Sequence, residues 1–214
     1  MILTKSNIEK VDLDFLINEK IKNNRVNELL IIVPTNRKVR NLKKEIISLM
    51  PNRAALELNI ETLGTISTKI LNRIQPFRQL SEAASIIFIK QSFAEIKPKY
   101  FSVYKNEIPF GTLDRIKNVI SEYKRHGITP EHLREEAEKL ERSEKLKALD
   151  IADIYEKYFH KCFSINAYEI GDVYKLLLEL NEKQFEESFS SIYSDVNLIV
   201  INGFNEFTKP EIKI

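Results

Sequence analysis

The sequence predicts an α/β fold, in which a parallel sheet is interrupted by a large all-helical insertion. The unbroken aliphatic run Leu29–Val33 suits a strand covered on both faces, as in parallel sheets flanked by helices. A second aliphatic run, Asn197–Ile201, predicts another buried strand. From Pro76 to the second run, helical periodicity predominates and no convincing strand is found. We therefore expect a sheet domain at residues 1–76, a helical insertion at residues 77–189 and a return of the sheet domain at residues 190–214.

Size and composition indicate an ordinary soluble globular protein. The chain has 214 residues, of which 43% are hydrophobic and 30% charged, and this length can bury a substantial core. Cys162 is the only cysteine, so no intrachain disulfide is possible and a reducing compartment is indicated. The N-terminus lacks a signal-peptide pattern, and no apolar run approaches the roughly 20 residues that span a bilayer. We expect a cytoplasmic protein without membrane contact.

A helix and the first strand lead directly into a basic helix. Residues 6–22 have a helical apolar rhythm with Ser6 as a possible N-cap, and Pro34 ends the strand. From Arg37 onward, apolar residues recur every three or four positions, which predicts an amphipathic helix. The other positions of this helix are rich in basic residues: Arg37, Lys38, Arg40, Lys43 and Lys44. Open α/β sheets that bind nucleotides or nucleic acids are built from such units, with ligands at the carboxyl ends of the strands.

The local charge of this segment is more informative than the net charge of the chain, which is only +2. Between Asn36 and Arg53, six basic residues face a single acidic residue, Glu45. A cluster of this kind can hold phosphate groups by charge. On charge alone, a solvated helix face without a ligand is an equally good interpretation.

A second strand and a third helix are expected next. Ala55–Ile60 predicts a short strand, and residues 61–64 predict a turn. The following helix ends near Ile74, and Thr65 and Ser67 are alternative N-caps.

The remainder of the chain is predicted to be mainly helical until the last strand. Five helices are expected in the insertion: Ser81–Ala94, Phe110–Arg125, Pro130–Leu140, Glu144–Phe163 and Glu169–Leu180. An acidic, serine-rich connection at residues 184–195 leads to the strand at Asn197–Ile201, and Thr208 starts a final helix. Because three strands make a small sheet, we expect the chain to be a segment of a longer protein.

The glycines exclude the common nucleotide-binding loops. A P-loop requires G-x-x-x-x-G-K-[ST], because glycines let backbone N–H groups approach the phosphates. None of the five glycines (Gly64, Gly111, Gly127, Gly171 and Gly203) precedes a Lys-Ser or Lys-Thr pair, and no G-x-G-x-x-G is present. An active ATPase with a P-loop from elsewhere is disfavoured, since the loop must precede its own sheet helix. We expect no cofactor in this segment.

Residues for metal binding or covalent catalysis are equally sparse. The three histidines (His126, His132 and His160) lack ligand spacing, and a single cysteine cannot build a structural zinc site. His160 and Cys162 are two positions apart on a predicted helix and do not share a face. The sequence predicts no metal site and no catalytic residue.

The end of the last strand has the position, but not the charge, of a magnesium site. Many nucleoside triphosphatases place a carboxylate there, because Mg²⁺ prefers charged oxygen ligands. Here the tip residue is Asn202, whose amide oxygen is neutral, and the nearest carboxylate, Glu206, is four residues further on. The alternative is a tight turn at Asn202 and Gly203 without a ligand, which these residues alone favour.

Five segments, in the same order along the chain, resemble the N-terminal part of AddB/RexB-type helicase–exonuclease subunits, which are related to RecB-type superfamily I helicases. LLIIVPTNRKVRNLKKEI at Leu29–Ile46 and ETLGTISTKIL at Glu61–Leu71 resemble two strand–helix segments that meet single-stranded DNA. Ile120–Leu133 and Lys145–Phe159 resemble helices of the inserted subdomain. LIVINGFNEFTKPEI at Leu198–Ile212 is similar to the D-G-F-x-x-F-T-P-x-E form of the magnesium motif.

The resemblance implies a degenerate RecA-like (P-loop helicase-like) domain that has lost its ATPase activity. The P-loop expected before Leu29 is absent, and Asn202 replaces the aspartate of the motif. By resemblance, the DNA backbone is contacted by Thr35, Asn36, Arg37, Lys38, Arg40, Thr62 and Thr65, while Asn202 and Glu206 form a degenerate magnesium motif. Hydroxyls, an amide and cations at adjacent strand ends also suit phosphate oxygens. The interpretation requires Leu29–Val33 and Asn197–Ile201 to lie in one sheet.

The resemblance also implies a biological setting. Such subunits work in double-strand break repair with a helicase–nuclease partner of the AddA type, and their PD-(D/E)XK nuclease domain lies outside this segment. We expect the chain to bind single-stranded DNA or a duplex end, or to scaffold the partner helicase. The alternative is a structural protein–protein interaction module that does not contact DNA.

Overall fold

The computed structural model of the protein describes residues 12–55, 57–105 and 107–214. The chain divides into two compact units. The first contains the described residues up to Ile70 together with Phe185–Glu206, and the second contains Leu71–Gln184 together with Phe207–Ile214. The fold is α/β and mostly helical, with a small parallel sheet. Among the described residues, none of the helices has both the length and the apolar character needed to cross a membrane.

The described residues form these elements in chain order: α1 (Leu13–Lys22), β1 (Leu29–Ile32), α2 (Asn36–Leu49), β2 (Asn59–Glu61), α3 (Leu63–Ile74), β3 (Arg78–Gln79), α4 (Glu82–Ala94), α5 (Phe110–Arg125), α6 (Pro130–Ala137), α7 (Arg142–Ser164), β4 (Ala167–Tyr168), α8 (Ile170–Leu178), α9 (Glu182–Ile192), β5 (Leu198–Ile201) and α10 (Lys209–Lys213). Short 3₁₀ turns occur at Val26–Glu28 and Phe101–Tyr104.

The sheet of the first unit has three parallel strands in the order β2-β1-β5. In the central strand, Leu30 lies opposite Asn59 of β2 and Ile199 of β5. The two aliphatic runs therefore lie side by side in one sheet, as the interpretation required. β1 is buried, but in the described part of the chain β5 is a half-exposed edge strand, so the prediction of a third buried strand is wrong.

The core of the first unit joins this sheet to the first two helices. Val33 and Ile60 of the sheet segments pack with Leu16 and Ile17 of α1 and with Ile46 of α2, and all five are buried. The apolar stripe of α2 thus faces the core, while its basic residues stay exposed or half-exposed.

Side-chain caps determine where the first helices begin. The Thr35 hydroxyl accepts a hydrogen bond of 3.2 Å from the Lys38 N–H, which starts α2 immediately after the strand. The Asp12 carboxylate caps α1 in the same way. The predicted cap Ser6 lies outside the described residues.

The second unit has a helical core of its own. Fully or nearly fully buried side chains from three helices meet there: Ile89 and Phe93 of α4, Ile116 and Ile120 of α5, and Ile154 and Tyr158 of α7. A buried ion pair links α5 to α8, since Lys124 Nζ lies 2.8 Å from Asp172 Oδ2. Gly171 allows the two helix backbones to approach closely at this point.

The helical region also contains strand, contrary to the prediction. β3 and β4 pair in parallel, with Arg78 opposite Ala167. Each strand has two residues, which is too short to show the alternation by which strands are recognised. The buried Tyr168 ring anchors β4, with the Phe163 ring centroid 4.9 Å away.

The expected acidic, serine-rich connection is also corrected. Residues 184–195 were predicted as a connection, but most of them belong to α9. Phe185 and Phe189 of this helix and Tyr193 just after it recur every four residues, and their rings contact one another in sequence. The helical spacing of these aromatic residues was overlooked in the sequence because most of the residues between them are acidic or serine.

The second strand and its following helix also differ from the prediction. β2 begins at Asn59 rather than Ala55 and includes Glu61, which was predicted to start a turn. Neither Thr65 nor Ser67 caps α3. Instead, the Thr62 hydroxyl accepts a hydrogen bond of 3.2 Å from the Thr65 N–H, which places the start of α3 immediately after the strand.

Candidate nucleic-acid interface

The predicted DNA-contacting residues of the first unit follow the carboxyl ends of strands in the same sheet. Ile32 at the end of β1 is paired with Glu61 of β2 and with Ile201 of β5. The ladder extends to the strand tips, because the Asn202 N–H donates to the Ile32 carbonyl at 2.9 Å. Since the three strands are parallel, Thr35, Thr62 and Asn202 all follow strand ends at one edge of the sheet. We call this the carboxyl edge.

The N-terminal turn of α2 begins at the carboxyl edge and is basic. Asn36 and Arg37 are exposed and Lys38 is half-buried, and Arg40, one turn further on, is exposed. No acidic residue lies in this turn, although the positive end of the helix dipole favours acids there. Within the described residues, no ion pair involves any basic side chain of α2, whereas many basic side chains of other elements are paired with carboxylates. The helix therefore presents uncompensated cations to solvent.

Thr62 and Thr65 form a hydroxyl pair at the start of α3. Their oxygens are 2.9 Å apart, and both residues are half-buried. One hydroxyl must donate to the other, so the pair keeps one O–H that is free to donate to a ligand. A phosphate oxygen is a suitable acceptor for such a group.

A charged group missed by sequence reasoning lies beside this pair. Glu61 is buried at the end of β2, and its Oε1 accepts a 2.6 Å hydrogen bond from Lys69 Nζ. Its second oxygen, Oε2, has no hydrogen bond of normal geometry within the described residues. Lys69 Nζ also lies 5.6 Å from the centre of the Tyr193 ring. Burial, and then the Glu61 carboxylate, raises the pKa of Tyr193.

Lys69 therefore offsets a carboxylate that would otherwise place an uncompensated negative charge near the carboxyl edge. The sequence signal for Glu61 was an acidic residue directly after the apolar positions of a strand. It was overlooked because the strand was predicted to end one residue earlier.

The turn after β5 lies directly beneath Lys38. Gly203 adopts a left-handed conformation with φ of 75°, which favours glycine. A Cβ at this position would overlap the Lys38 ammonium nitrogen and would lie 3.0 Å from Lys38 Cε. The side chain of Lys38 thus packs on the glycine that follows Asn202.

The residues of this turn do not fit a magnesium ion. Asn202 is half-buried and neutral, Glu206 is exposed, and the nearby Lys38 ammonium would repel a divalent cation. Throughout residues 12–55, 57–105 and 107–214, no group of three or more His, Cys, Asp or Glu side chains is arranged to hold a metal.

The histidines and the cysteine lie in the second unit. His126, His132 and His160 line one cleft of about 800 Å³, and His126 Nε2 is paired with Glu122 Oε1 at 2.9 Å. Cys162 is buried, and burial raises the pKa of its thiol to about 12. The thiol therefore remains protonated at neutral pH and is a poor nucleophile.

Comparison with known proteins adds one finding. A family model described as "ADDB, N-terminal" matches residues 13–214, which include both units of the structure. Among curated proteins, none matches the chain.

Proposed function

The chain belongs to the AddB N-terminal family, whose members act in DNA repair, and from this premise we propose that it is a helicase-like domain that binds DNA without hydrolysing ATP. Its ligand is the phosphate backbone of single-stranded DNA or of a duplex end. Its place is in a complex with a helicase–nuclease partner of the AddA type, in the cytoplasm. The sheet is then a degenerate RecA-like sheet whose ligand lies at the strand ends.

The observation that carries this proposal is the uncompensated basic turn of α2. Cations in the first turn of a helix oppose the dipole and are unfavourable by about 0.3–1 kcal/mol each at low ionic strength. Arg37 and Lys38 occupy such positions, and no carboxylate among the described residues pairs with them. A phosphate at this edge relieves the unfavourable charge, and it also meets the Thr62 and Thr65 hydroxyl pair.

Loss of ATPase activity is supported by the residues at the same edge. The sequence contains no P-loop, the strand tip carries Asn202 instead of a carboxylate, and Lys38 packs on the adjacent Gly203. These residues lack the groups that hold a triphosphate and its metal ion. Micromolar, Mg²⁺-dependent ATP binding by the chain would contradict this part of the proposal.

DNA binding is tested by changing Arg37, Lys38 and Arg40 together to Ala. We expect affinity for single-stranded DNA to fall roughly tenfold or more. The slope of log K against log salt should decrease by about 2, because three fewer phosphates are neutralised and each contributes about 0.7 for a single strand. Fluorescence anisotropy over a salt series measures both quantities.

The matched control changes Lys139, Lys145 and Lys161 together to Ala. It removes the same charge from the second unit, where each lysine is paired with a glutamate. Equal losses in the two triple variants would show that only net charge matters and would refute the assigned interface.

A second candidate function is a protein-docking module. It is favoured by large apolar side chains that the second unit leaves exposed, namely Ile87 at 54%, Val103 at 75% and Phe110 at 67%. Association with the helicase partner that is insensitive to salt, together with no DNA binding, would support this function instead.

A further inference from the structure

The contact between Lys38 and Gly203 puts a positive charge where a helicase-like sheet is expected to hold a metal ion. Gly203 follows Asn202 at the tip of β5, and a Cβ added there would overlap Lys38 Nζ and lie 3.6 Å from Lys38 Cδ. The outer half of the lysine side chain therefore lies on the glycine. Lys38 reaches this place because α2 starts directly after the neighbouring strand β1.

Three features of the turn oppose a divalent ion. An amide oxygen at Asn202 supplies no charge, and the exposed Glu206 is four residues away. The ammonium of Lys38 adds direct repulsion. An anion is favoured at the same place. It is attracted by the Lys38 ammonium, and no carboxylate at the tip of β5 repels it.

We propose that Lys38 replaces the divalent ion at the carboxyl edge, so that this edge binds phosphodiester oxygens without metal. The inference rests on the proposed function for the identity of its ligand. Its physical basis is the position of the ammonium over Gly203 and the lack of any ion-pair partner for Lys38 among the described residues. Lysine acts here as a point charge, a common means of phosphate binding in proteins.

The claim about the metal position is tested with Asn202→Asp, Lys38→Met and the double variant. Methionine keeps most of the length and apolar character of the lysine stem but removes the charge. Free Mn²⁺, detected by electron paramagnetic resonance, serves as the probe. We expect Asn202→Asp alone to bind Mn²⁺ no better than the wild type, because Lys38 neutralises the new carboxylate. The double variant should bind at least about tenfold more tightly than Asn202→Asp.

Equal Mn²⁺ affinities of Asn202→Asp and the double variant would overturn the proposal, because Lys38 would then not control the position. Thermal unfolding gives an independent reading. Asn202→Asp should raise the melting temperature in the wild-type background through an ion pair with Lys38, and this gain should vanish in the Lys38→Met background. The same gain in both backgrounds would also overturn the proposal.

DNA binding supplies the second arm of the test. Affinity of the wild type for single-stranded DNA should stay within about twofold between Mg²⁺ and EDTA buffers of equal ionic strength, and Lys38→Met should weaken it by more than Lys43→Met, a control on the same helix. Binding that is lost in EDTA would overturn metal independence. If the wild type binds no DNA in either buffer, the proposed function fails, whereas the Mn²⁺ comparison still decides the role of Lys38.

Discussion

Lys124 Nζ on α5 lies 2.8 Å from Asp172 Oδ2 on α8, and the two side chains are only 1% and 2% exposed. Glu169 Oε2 is 3.1 Å from the same ammonium, and the Tyr158 ring centre is 4.3 Å away. Burial raises the pKa of Asp172. Burial opposes the charge of Lys124 as well, but the carboxylates of Asp172 and Glu169 raise its pKa overall. One buried cation and two carboxylates thus link α5 to α8 within the helical unit.

Removing this cation should severely destabilise the helical unit. Lys124→Met leaves Asp172 and Glu169 buried without a compensating charge, which we expect to cost about 3–5 kcal/mol. Urea unfolding followed by circular dichroism measures the loss. Lys139→Met is the control, because Lys139 pairs with Glu136 on the surface and should change stability by less than about 1 kcal/mol. Similar midpoints for both variants would contradict the structural role of Lys124.

Long, strongly periodic segments were predicted well from the sequence. α5 has the predicted bounds, Phe110–Arg125, and β1 follows from an aliphatic run that ends at Pro34. Helix ends were less predictable, since α6 ends at Ala137 instead of Leu140. The apolar pattern reports which face is buried, whereas an end depends on caps and packing. β3 and β4 escaped prediction because their pairing depends on segments that are far apart in the chain.

The candidate site was also only partly predictable from the sequence. Its basic residues were predictable because they cluster on one short segment, between Arg37 and Lys44. The contact of Lys38 with Gly203 was not, because it depends on β1 and β5 being neighbours in the sheet. Glu61 was missed for a local reason, an error of one residue at the end of β2.

Two glycine substitutions should have opposite effects. A Cβ at Gly171 would lie 2.5 Å from the Lys124 carbonyl carbon and 2.8 Å from the Arg125 nitrogen. Both are backbone atoms of α5, which cannot move aside without straining the helix. Gly171→Ala should therefore destabilise by about 2–3 kcal/mol or more. At Gly111, on α5, a Cβ would meet nothing within 4 Å. Gly111→Ala should be neutral or stabilise by up to about 1 kcal/mol, because alanine favours helix. Thermal unfolding measures the melting temperatures of the two variants. Equal melting temperatures would refute the close approach of α5 and α8.

Asp150 on α7 should be the most important single acceptor for the segment before α5. Its carboxylate accepts hydrogen bonds from three successive N–H groups, those of Lys99 at 2.9 Å, Tyr100 at 2.8 Å and Phe101 at 3.0 Å. Asp150→Ala leaves these donors without their acceptor and should cost about 2–4 kcal/mol. Hydrogen exchange should also be faster at these three amides. Asp153→Ala, which removes a surface partner of Arg134, is the control and should leave those amides protected.

Acid should weaken the first unit partly through Glu28. Hydrogen bonds from Lys20 and then Asn197 lower the pKa of Glu28 below its ordinary value of 4.5. Because the pKa is lower in the folded state, this contribution is present above pH 4.5 and is lost as the pH falls through the lowered pKa. Glu28→Gln should thus reduce stability at neutral pH but flatten the decrease in stability below pH 4.5. Urea midpoints over a pH series test this, with the exposed Glu19→Gln as control. Parallel acid limbs for the wild type and Glu28→Gln would contradict it.

Lys69 should affect both stability and DNA binding, because it is the cation that pairs with the buried Glu61 next to the Thr62 hydroxyl. Lys69→Met leaves the Glu61 carboxylate uncompensated, and since Lys69 is half-exposed we expect a moderate cost of about 1–2 kcal/mol. The uncompensated charge should also repel phosphates and weaken binding of single-stranded DNA by roughly threefold to tenfold at low salt. The double variant Glu61→Gln/Lys69→Met removes both charges and should recover most of the affinity. Anisotropy titrations that show no recovery in the double variant would mean that Lys69 contacts DNA directly instead of screening Glu61.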